Sequence, residues 1–356
     1  MNVLTSYIVK EVLKSAFIAQ LLLLTLFDLF TLSDELDDIG KGSYGITEVF
    51  YYVALTSPTI FYELMPASAL LGSLFALGGM GNNRELIAMQ AAGLSVFGII
   101  KAVMLAGLIL VVVAVSVGEW IAPDAEQRGQ VLKTMTQNNQ VILRAKYGIW
   151  LREGKQFINI RQIEDNGDLT DISIFELNDQ QHLQRATHAQ QATFQGDKQW
   201  QLKQLKQSEI STEQMLASTE PDKIWKSSID PDLLKIVVVN PNNLSLYDLA
   251  MYVRFLKENH QKSKSYEFAL WGRVVNPLVI FVMLLVSAPF VIGVKRGVSA
   301  GARILIGAVI GLGFNVIDMT VGQMGLIYDL SPPLMAFLPS LIFLIGAGYF
   351  LRRQYQ

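Results

Sequence analysis

Four ionisable side chains, Asp28, Glu63, Arg273 and Asp318, lie inside or at the margin of otherwise apolar runs. A charge at the centre of a bilayer costs roughly 2.5–3.5 kcal/mol on insertion scales. Such groups therefore pair with one another, face a polar interior or handle a charged ligand. Asp28 is flanked by Leu26, Phe27, Leu29 and Phe30, which points to a polar interior or a subunit interface. Arg273 stands at a matching depth, where it could pair with Asp28 or meet a phosphate of an amphipathic ligand. Glu63 and Asp318 have a blander alternative, that of snorkelling to the membrane interface.

A second informative stretch reads Gly81-Asn82-Asn83-Arg84-Glu85-Leu86-Ile87-Ala88-Met89-Gln90-Ala91-Ala92-Gly93. It predicts a short helix over about 82–93. Asn83 would be its cap, Glu85 would sit in its first turn, and Gly93 would stop it. Leu86 and Met89, with Ile87, give it an apolar face. A helix lying across the ends of two spans can dock into a groove on a partner; the alternative is a solvated connector.

Catalytic motifs are missing. There is no G-x-x-x-x-G-K-[ST] to cradle nucleotide phosphates and no H-E-x-x-H. His182, His188 and His260 lack metal-ligand spacing, and cysteine is absent. The expectation is a chain with no catalytic residue, no metal and no cofactor of its own. The net charge of −2 argues against a nucleic-acid partner.

The elements that must position these residues follow from hydropathy. The chain has 356 residues, 51% of them hydrophobic, but the apolar residues are segregated. Six runs, roughly 14–33, 58–80, 98–120, 267–292, 300–324 and 333–351, reach the length of about 20 residues that a bilayer requires. Lys10 and Lys14 precede the first, as in a signal peptide, yet no small-x-small cleavage site follows, so it reads as an uncleaved span. Pro58 and Pro66 predict a bent entry to the second span. Pro277 and Pro289 should bend or end the fourth. Lys10, Lys14, Arg84, Lys101, Lys295, Arg296, Arg303, Arg352 and Arg353 gather at alternate span ends. By the positive-inside rule both termini are then cytoplasmic and the polar segment 124–262 is exported. In a Gram-negative inner membrane it would be periplasmic. The domain reading is 1–123, 124–264 and 265–356.

In the exported part, Val141–Leu151, Gln156–Ile163, Leu169–Leu177 and Gln199–Leu205 read as strands between turn signals, which suggests an all-β sandwich or jelly roll. Ser245–Asn259 reads as an amphipathic helix leading back to the membrane. Trp150, Phe157, Ile158, Ile172 and Ile174 form either an ordinary sandwich core or an interior that accepts acyl chains. His182 and His188 read as solvated surface.

Several motifs carry a resemblance to a known family. They are Gly42-Ser43-Tyr44, Met65-Pro66-Ala67-Ser68-Ala69-Leu70-Leu71-Gly72, Arg84-Glu85-Leu86 with Met89-Gln90-Ala91-Ala92-Gly93, Gly118-Glu119-Trp120-Ile121-Ala122-Pro123, Trp225-Lys226 with Pro231-Asp232 and Pro241, and Asn276-Pro277-Leu278. Along nearly its whole length the chain resembles the lipopolysaccharide export permeases LptF and LptG. The Gly-Glu-Trp-x-Ala-Pro run favours the LptG side. The resemblance implies six transmembrane helices, three plus three, around a periplasmic jelly-roll-like domain. It implies an LptF-like partner permease and an LptB-like ATPase dimer that binds ATP and Mg. It also implies an LptC-like single-span bridge protein, a periplasmic bridge protein, and lipopolysaccharide as substrate. Glu85, with Arg84, Leu86 and Met89, would couple to the ATPase. Asp28, Phe30, Phe61, Phe75, Arg273, Phe314 and Asp318 become candidates for the lipid cavity.

One departure stands out. Where the family carries lysines after the first span, this chain has Ser33-Asp34-Glu35-Leu36-Asp37-Asp38 with only Lys41 basic. Phosphate contacts would then come from the partner, from Lys262, Lys264 or Arg273, or through divalent cations held by these acids. Two other classes stay open: a membrane-anchored scaffold without transport, and a secondary transporter, which predicts charge pairs at the bilayer midplane.

Overall fold

The computed structural model describes residues 3–138, 149–164, 167–211, 214–231, 233–234, 241–292 and 300–354. The strand expected from Val141 therefore has its 141–148 portion outside the described residues, as do Lys295 and Arg296. The helices are α1 (Val3–Leu36), α2 (Ile46–Asn82), α3 (Glu85–Ala91) and α4 (Val96–Ser116). A π-helical turn, Val117–Ile121, carries α4 without a break into α5 (Ala122–Asn138). Six strands follow: β1 (Ile149–Glu153), β2 (Gln156–Ile163), β3 (Leu169–Leu177), β4 (Leu183–Gly196), β5 (Gln199–Ile210) and β6 (Met215–Lys226). A 3₁₀ turn (Pro241–Asn243) leads into α6 (Leu246–Glu258), α7 (Lys264–Ile292), α8 (Ala300–Ile327) and α9 (Pro332–Gln354). Among the described residues six helical runs are long and apolar enough to cross a membrane. The architecture is thus six spanning helices, three plus three, with an all-β insertion.

The helices outrun the apolar segments that predict them. Ile46–Leu55 forms the first turns of α2, and the third span continues through the π turn to Asn138. Pro58 and Pro66 lie inside α2, and Pro277 and Pro289 inside α7. Each proline lacks an N–H and leaves one upstream carbonyl without its helical donor, a loss that neighbouring side chains can offset.

Two clusters hold the bundle. One joins Ile8, Val12 and Ala16 of α1, Met65, Ala69 and Leu77 of α2 and Ala102, Val103 and Ala106 of α4. The other joins Leu70 and Leu74 of α2 to Val275, Val279 and Met283 of α7, Phe314 of α8 and Ala336 and Ala347 of α9. α2 belongs to both and stitches the two triplets together. Its closest contact is with α1: a Cβ on Gly72 would stand 2.3 Å from the Ala16 Cα, so only glycine fits. Among the glycines of α8, Gly307 packs against Leu71 and Leu74, whereas Gly311 and Gly313 face open space.

The strands form one antiparallel sheet in chain order. It coils so far that its last strand returns to its first hairpin. Trp225 Nε1 donates to Gln156 Oε1 at 3.3 Å, and Ser227 Oγ and Ser228 N reach the Glu153 carboxylate, each at 2.5 Å. Leu151, Ile158, Ile160, Ile172, Ile174, Trp200 and Leu202 line the inner face, and Leu249, Tyr252, Phe255 and Leu256 of α6 join the same core. α6 is the helix expected at 245–259, with the Ser245 hydroxyl accepting from Asp248 N at 3.1 Å.

Candidate functional site

A cleft of about 620 Å³ opens between α2, α7 and α8, with Ala336 of α9 at its edge. It gathers three of the four charges singled out in the sequence, Glu63, Arg273 and Asp318, together with Phe314 and the amides of Asn276, Asn315 and Gln323. The carboxyl groups of Glu63 and Asp318 are accessible from the cleft. Arg273 is its buried wall, with its side chain only 4% exposed.

Local sequence explains how that guanidinium is held. Pro277 has no N–H, so the Arg273 carbonyl one turn earlier lacks its helical donor, and the Tyr62 hydroxyl donates to it at 3.3 Å. Arg273 Nη1 donates to the Gly118 carbonyl at 2.8 Å inside the π turn, and the guanidinium lies 5.0 Å from the centre of the Tyr62 ring. Glu119 Oε1 stands 3.9 Å away. Gly118 is required here, because a Cβ would fall 2.4 Å from the Tyr62 ring. Asp28 is elsewhere, accepting from the Ser57 hydroxyl at 3.1 Å. The pair imagined between Asp28 and Arg273 thus gives way to separate partners on different helices.

The remaining cavity candidates are spread out. Phe30 is exposed on α1, edge-on to Phe27 at 6.3 Å. Phe61 packs against the α1–α2–α4 core, and Phe75 is half-buried on α2. Lys264 engages Asp329 across the α8–α9 loop at 2.5 Å, while Lys262 is exposed.

The acidic rim after α1 is compensated from within. Lys133 of α5, a residue the sequence reading passed over, reaches Glu35 at 2.6 Å and Asp38 at 3.0 Å. Lys41 meets Asp38 at 2.5 Å, Gln137 Nε2 donates to it at 3.0 Å, and the Tyr44 hydroxyl donates to Glu35 at 2.9 Å. The Lys41 and Lys133 ammonium groups hold the Asp38 carboxyl well below the usual aspartate range, while burial and then Glu35 push the Tyr44 hydroxyl up. Among the described residues no group of three or more His, Asp and Glu side chains is placed to hold a metal ion. Within the chain, the acids of this rim are answered by Lys41 and Lys133.

At the opposite end, α3 lies where the sequence predicts it, over Glu85–Ala91, but Asn83 is not its cap. Arg84 occupies that position in the left-handed region (φ 60°), and the Asn83 amide instead donates to Glu85 Oε1 at 3.1 Å. The Tyr7 hydroxyl of α1 donates to Glu85 Oε2 at 2.9 Å. Leu86 and Met89 are buried in the bundle core. They anchor the helix, and the surface α3 offers is made by Arg84, Ile87, Ala88, Gln90 and Ala91.

In the sheet the five conduit candidates divide between faces. Ile158, Ile172 and Ile174 point into the filled core. Trp150, 57% exposed, stacks on Phe175 on the other face, where Phe157 pairs with Phe175 and lies under the Arg152 guanidinium. His188 sits 3.3 Å from the Ser173 hydroxyl, and His182 is exposed.

Comparison with known proteins settles the family. The profile described as lipopolysaccharide export system permease LptF/LptG matches residues 6–353. The chain belongs to the LptF/LptG permease family. It is 33% identical over 354 residues to the lipopolysaccharide export system permease protein LptG of Haemophilus influenzae, covering 99% of each chain. It is 30% identical over 355 residues to LptG of Escherichia coli K12, again covering 99% of each. Similarity to LptF of Escherichia coli K12 is 29% over 137 residues, 38% of this chain and 37% of that one. Members of this permease family are transport subunits.

Proposed function

We propose that this chain is the LptG-type transmembrane subunit of an ABC-type exporter. The exporter extracts lipopolysaccharide from the inner membrane and passes it to a periplasmic bridge. ATP and Mg are bound by a separate LptB-like ATPase dimer. An LptF-like permease completes the membrane part, and an LptC-like single-span protein and a periplasmic bridge protein continue the route. The observation that carries this reading is α3. It is a seven-residue helix fastened to the bundle by Leu86 and Met89, with Glu85 in its first turn and Ile87, Ala88 and Gln90 facing out. Such a helix moves with α2 and α4 and presents a small surface to a partner. Lys10, Lys14, Arg84, Lys101, Arg303, Arg352 and Arg353 support a cytoplasmic α3 and a periplasmic sheet.

For the substrate, α1 and α8 expose long apolar faces, including Leu22, Leu26, Phe27, Phe30, Leu305, Val309, Leu312 and Val316. These faces fit a cavity wall shared with the second permease, with Asp28 and Asp318 as its polar points. Arg273 is already engaged by Gly118 and Glu119. Headgroup phosphates are therefore more readily met by exposed Lys262 or by the partner permease. An acyl chain entering the sheet would displace α6 side chains from Ile158, Ile172 and Ile174.

The test is Glu85→Arg in the whole complex. ATP hydrolysis should persist while lipopolysaccharide export stops. Unaltered export would remove the coupling role, and failure of photocrosslinkers along α1 and α8 to capture lipopolysaccharide would leave an anchored scaffold.

A further inference from the structure

The Gly118-Glu119-Trp120-Ile121-Ala122-Pro123 run has a structural meaning that transport alone does not explain. It forms the π turn and the start of α5, and it places Glu119 and Glu126 two turns apart on one continuous helix. Both carboxylates reach the segment that enters α6. Glu119 Oε2 accepts from the Leu246 backbone N–H at 2.7 Å. Leu246 is the first residue of α6, and an amide there has no acceptor within its own helix. Glu126, 5% exposed, accepts from Asn243 Nδ2 at 3.0 Å in the 3₁₀ turn just before. Its other contacts tie it to the bundle: Thr59 Oγ1 of α2 at 3.1 Å and Gln130 Nε2 at 3.0 Å.

The far side of α6 is locked differently. Leu249, Tyr252, Phe255 and Leu256 are buried in the sheet's own core. α6 is therefore held by apolar contacts along its length, shared with the sheet and with Ala269 of α7, and by carboxylates at its entry, Glu119 on its first amide and Glu126 on the turn before it. At the bundle end, Glu119 also lies 3.9 Å from Arg273, which is a wall of the cleft.

We propose that Glu119 and Glu126 are positioning residues that set the β-sheet against the bundle. A displacement of the cleft wall at Arg273 is passed through Glu119 to α6, and through α6 to the sheet. The transport half of this inference rests on the function proposed above; the junction itself does not.

The experiment uses the chain assembled with its partner permease and ATPase in proteoliposomes containing lipopolysaccharide. Three readouts are taken: amide exchange across 241–258, ATP hydrolysis, and lipid photocrosslinked to the sheet per ATP consumed. In Glu119→Ala the Leu246 amide should exchange about tenfold faster or more, as expected for losing a hydrogen bond to a charged acceptor. Glu119→Gln keeps an acceptor and should restore most of that protection, while losing the charge that faces Arg273. Lipid delivered per ATP should fall about tenfold in Glu119→Ala if the contact is fully used, further in the double variant with Glu126→Ala, and with hydrolysis maintained. Should Glu126→Ala fail to accumulate, the two Glu119 variants carry the test alone. Unchanged Leu246 exchange in Glu119→Ala overturns the junction. Faster exchange with unchanged delivery per ATP overturns the transmission. If the wild-type complex delivers no lipid, the proposed function falls, and the exchange readout still judges the junction.

Discussion

At the end of the bundle that carries α3, the Glu85 carboxylate is met by two neutral donors, the Tyr7 hydroxyl and the Asn83 amide, on an exposed surface. At the end that carries the sheet, Glu119 and Glu126 face a buried guanidinium, a helix-terminal amide and the side chains of Thr59, Gln130 and Asn243. The chemistry is similar and the surroundings differ. Hydrogen bonds exposed to water, even to a carboxylate, are readily exchanged for water, whereas a buried charge that loses its partners is expensive. One end is therefore suited to trading its contacts for those of another subunit. The other is suited to holding a domain in register.

Arg273→Ala should be the most damaging single change, at about 3 kcal/mol, because it removes a buried guanidinium shared by α2, α7 and the π turn. Thermal unfolding of the purified protein in detergent measures it. A cost under about 1 kcal/mol, a typical single hydrogen bond, would erase the contrast between the two ends. Gly118→Ala should follow at about 1–3 kcal/mol, the usual cost of overpacking, since the new methyl would strike the Tyr62 ring. The same unfolding assay applies, and Gly118→Ala combined with Tyr62→Ala should cost less than the sum of the two single changes.

Asp38 gives a pH test confined to the sheet end. Its carboxyl is held below the ordinary aspartate range by Lys41 and Lys133, so the folded state favours the charged form. That contribution is complete above the unfolded value of about 4 and is lost as pH falls towards the lower folded value. Unfolding of the purified protein measured at each pH should lose stability below about pH 4 and stay flat between about pH 5 and 8 from this group, and Asp38→Asn should reduce that acid-side loss. The smallest effect belongs to Tyr7→Phe. It removes one exposed hydrogen bond and should change unfolding by no more than about 0.5 kcal/mol. A loss comparable to that of Arg273→Ala would mean that the α3 end is as fixed as the other.

Much of the β insertion was legible, and the misses have reasons. β2, β3 and part of β5 alternate apolar and polar residues and were readable from that period. β4 was not, because its inward positions are small: Thr187, Ala189 and Ala192 face the core between glutamines, and neither alanine nor glutamine marks a strand. β6 was not because it is an edge strand, exposed nearly throughout and interrupted by Pro221, which an edge tolerates. The helix at Glu85–Ala91 is legible from its local sequence, but not the direction of its apolar residues, which the pattern offers as a docking face. Leu86 and Met89 turn inward because a short helix has no other way to stay attached.

The sequence by itself determined the six spans, the strand-rich insertion and the short helix between α2 and α4, since hydrophobic length and local turn chemistry are properties of neighbouring residues. It also marked Pro277 as a break in helical hydrogen bonding, since proline lacks an N–H. Only the tertiary structure decided which charges meet. Lys133 answers Glu35 from 98 residues away, and Arg273 answers Gly118 from 155. Such pairings depend on how packed helices bring distant turns together, and no local pattern records that.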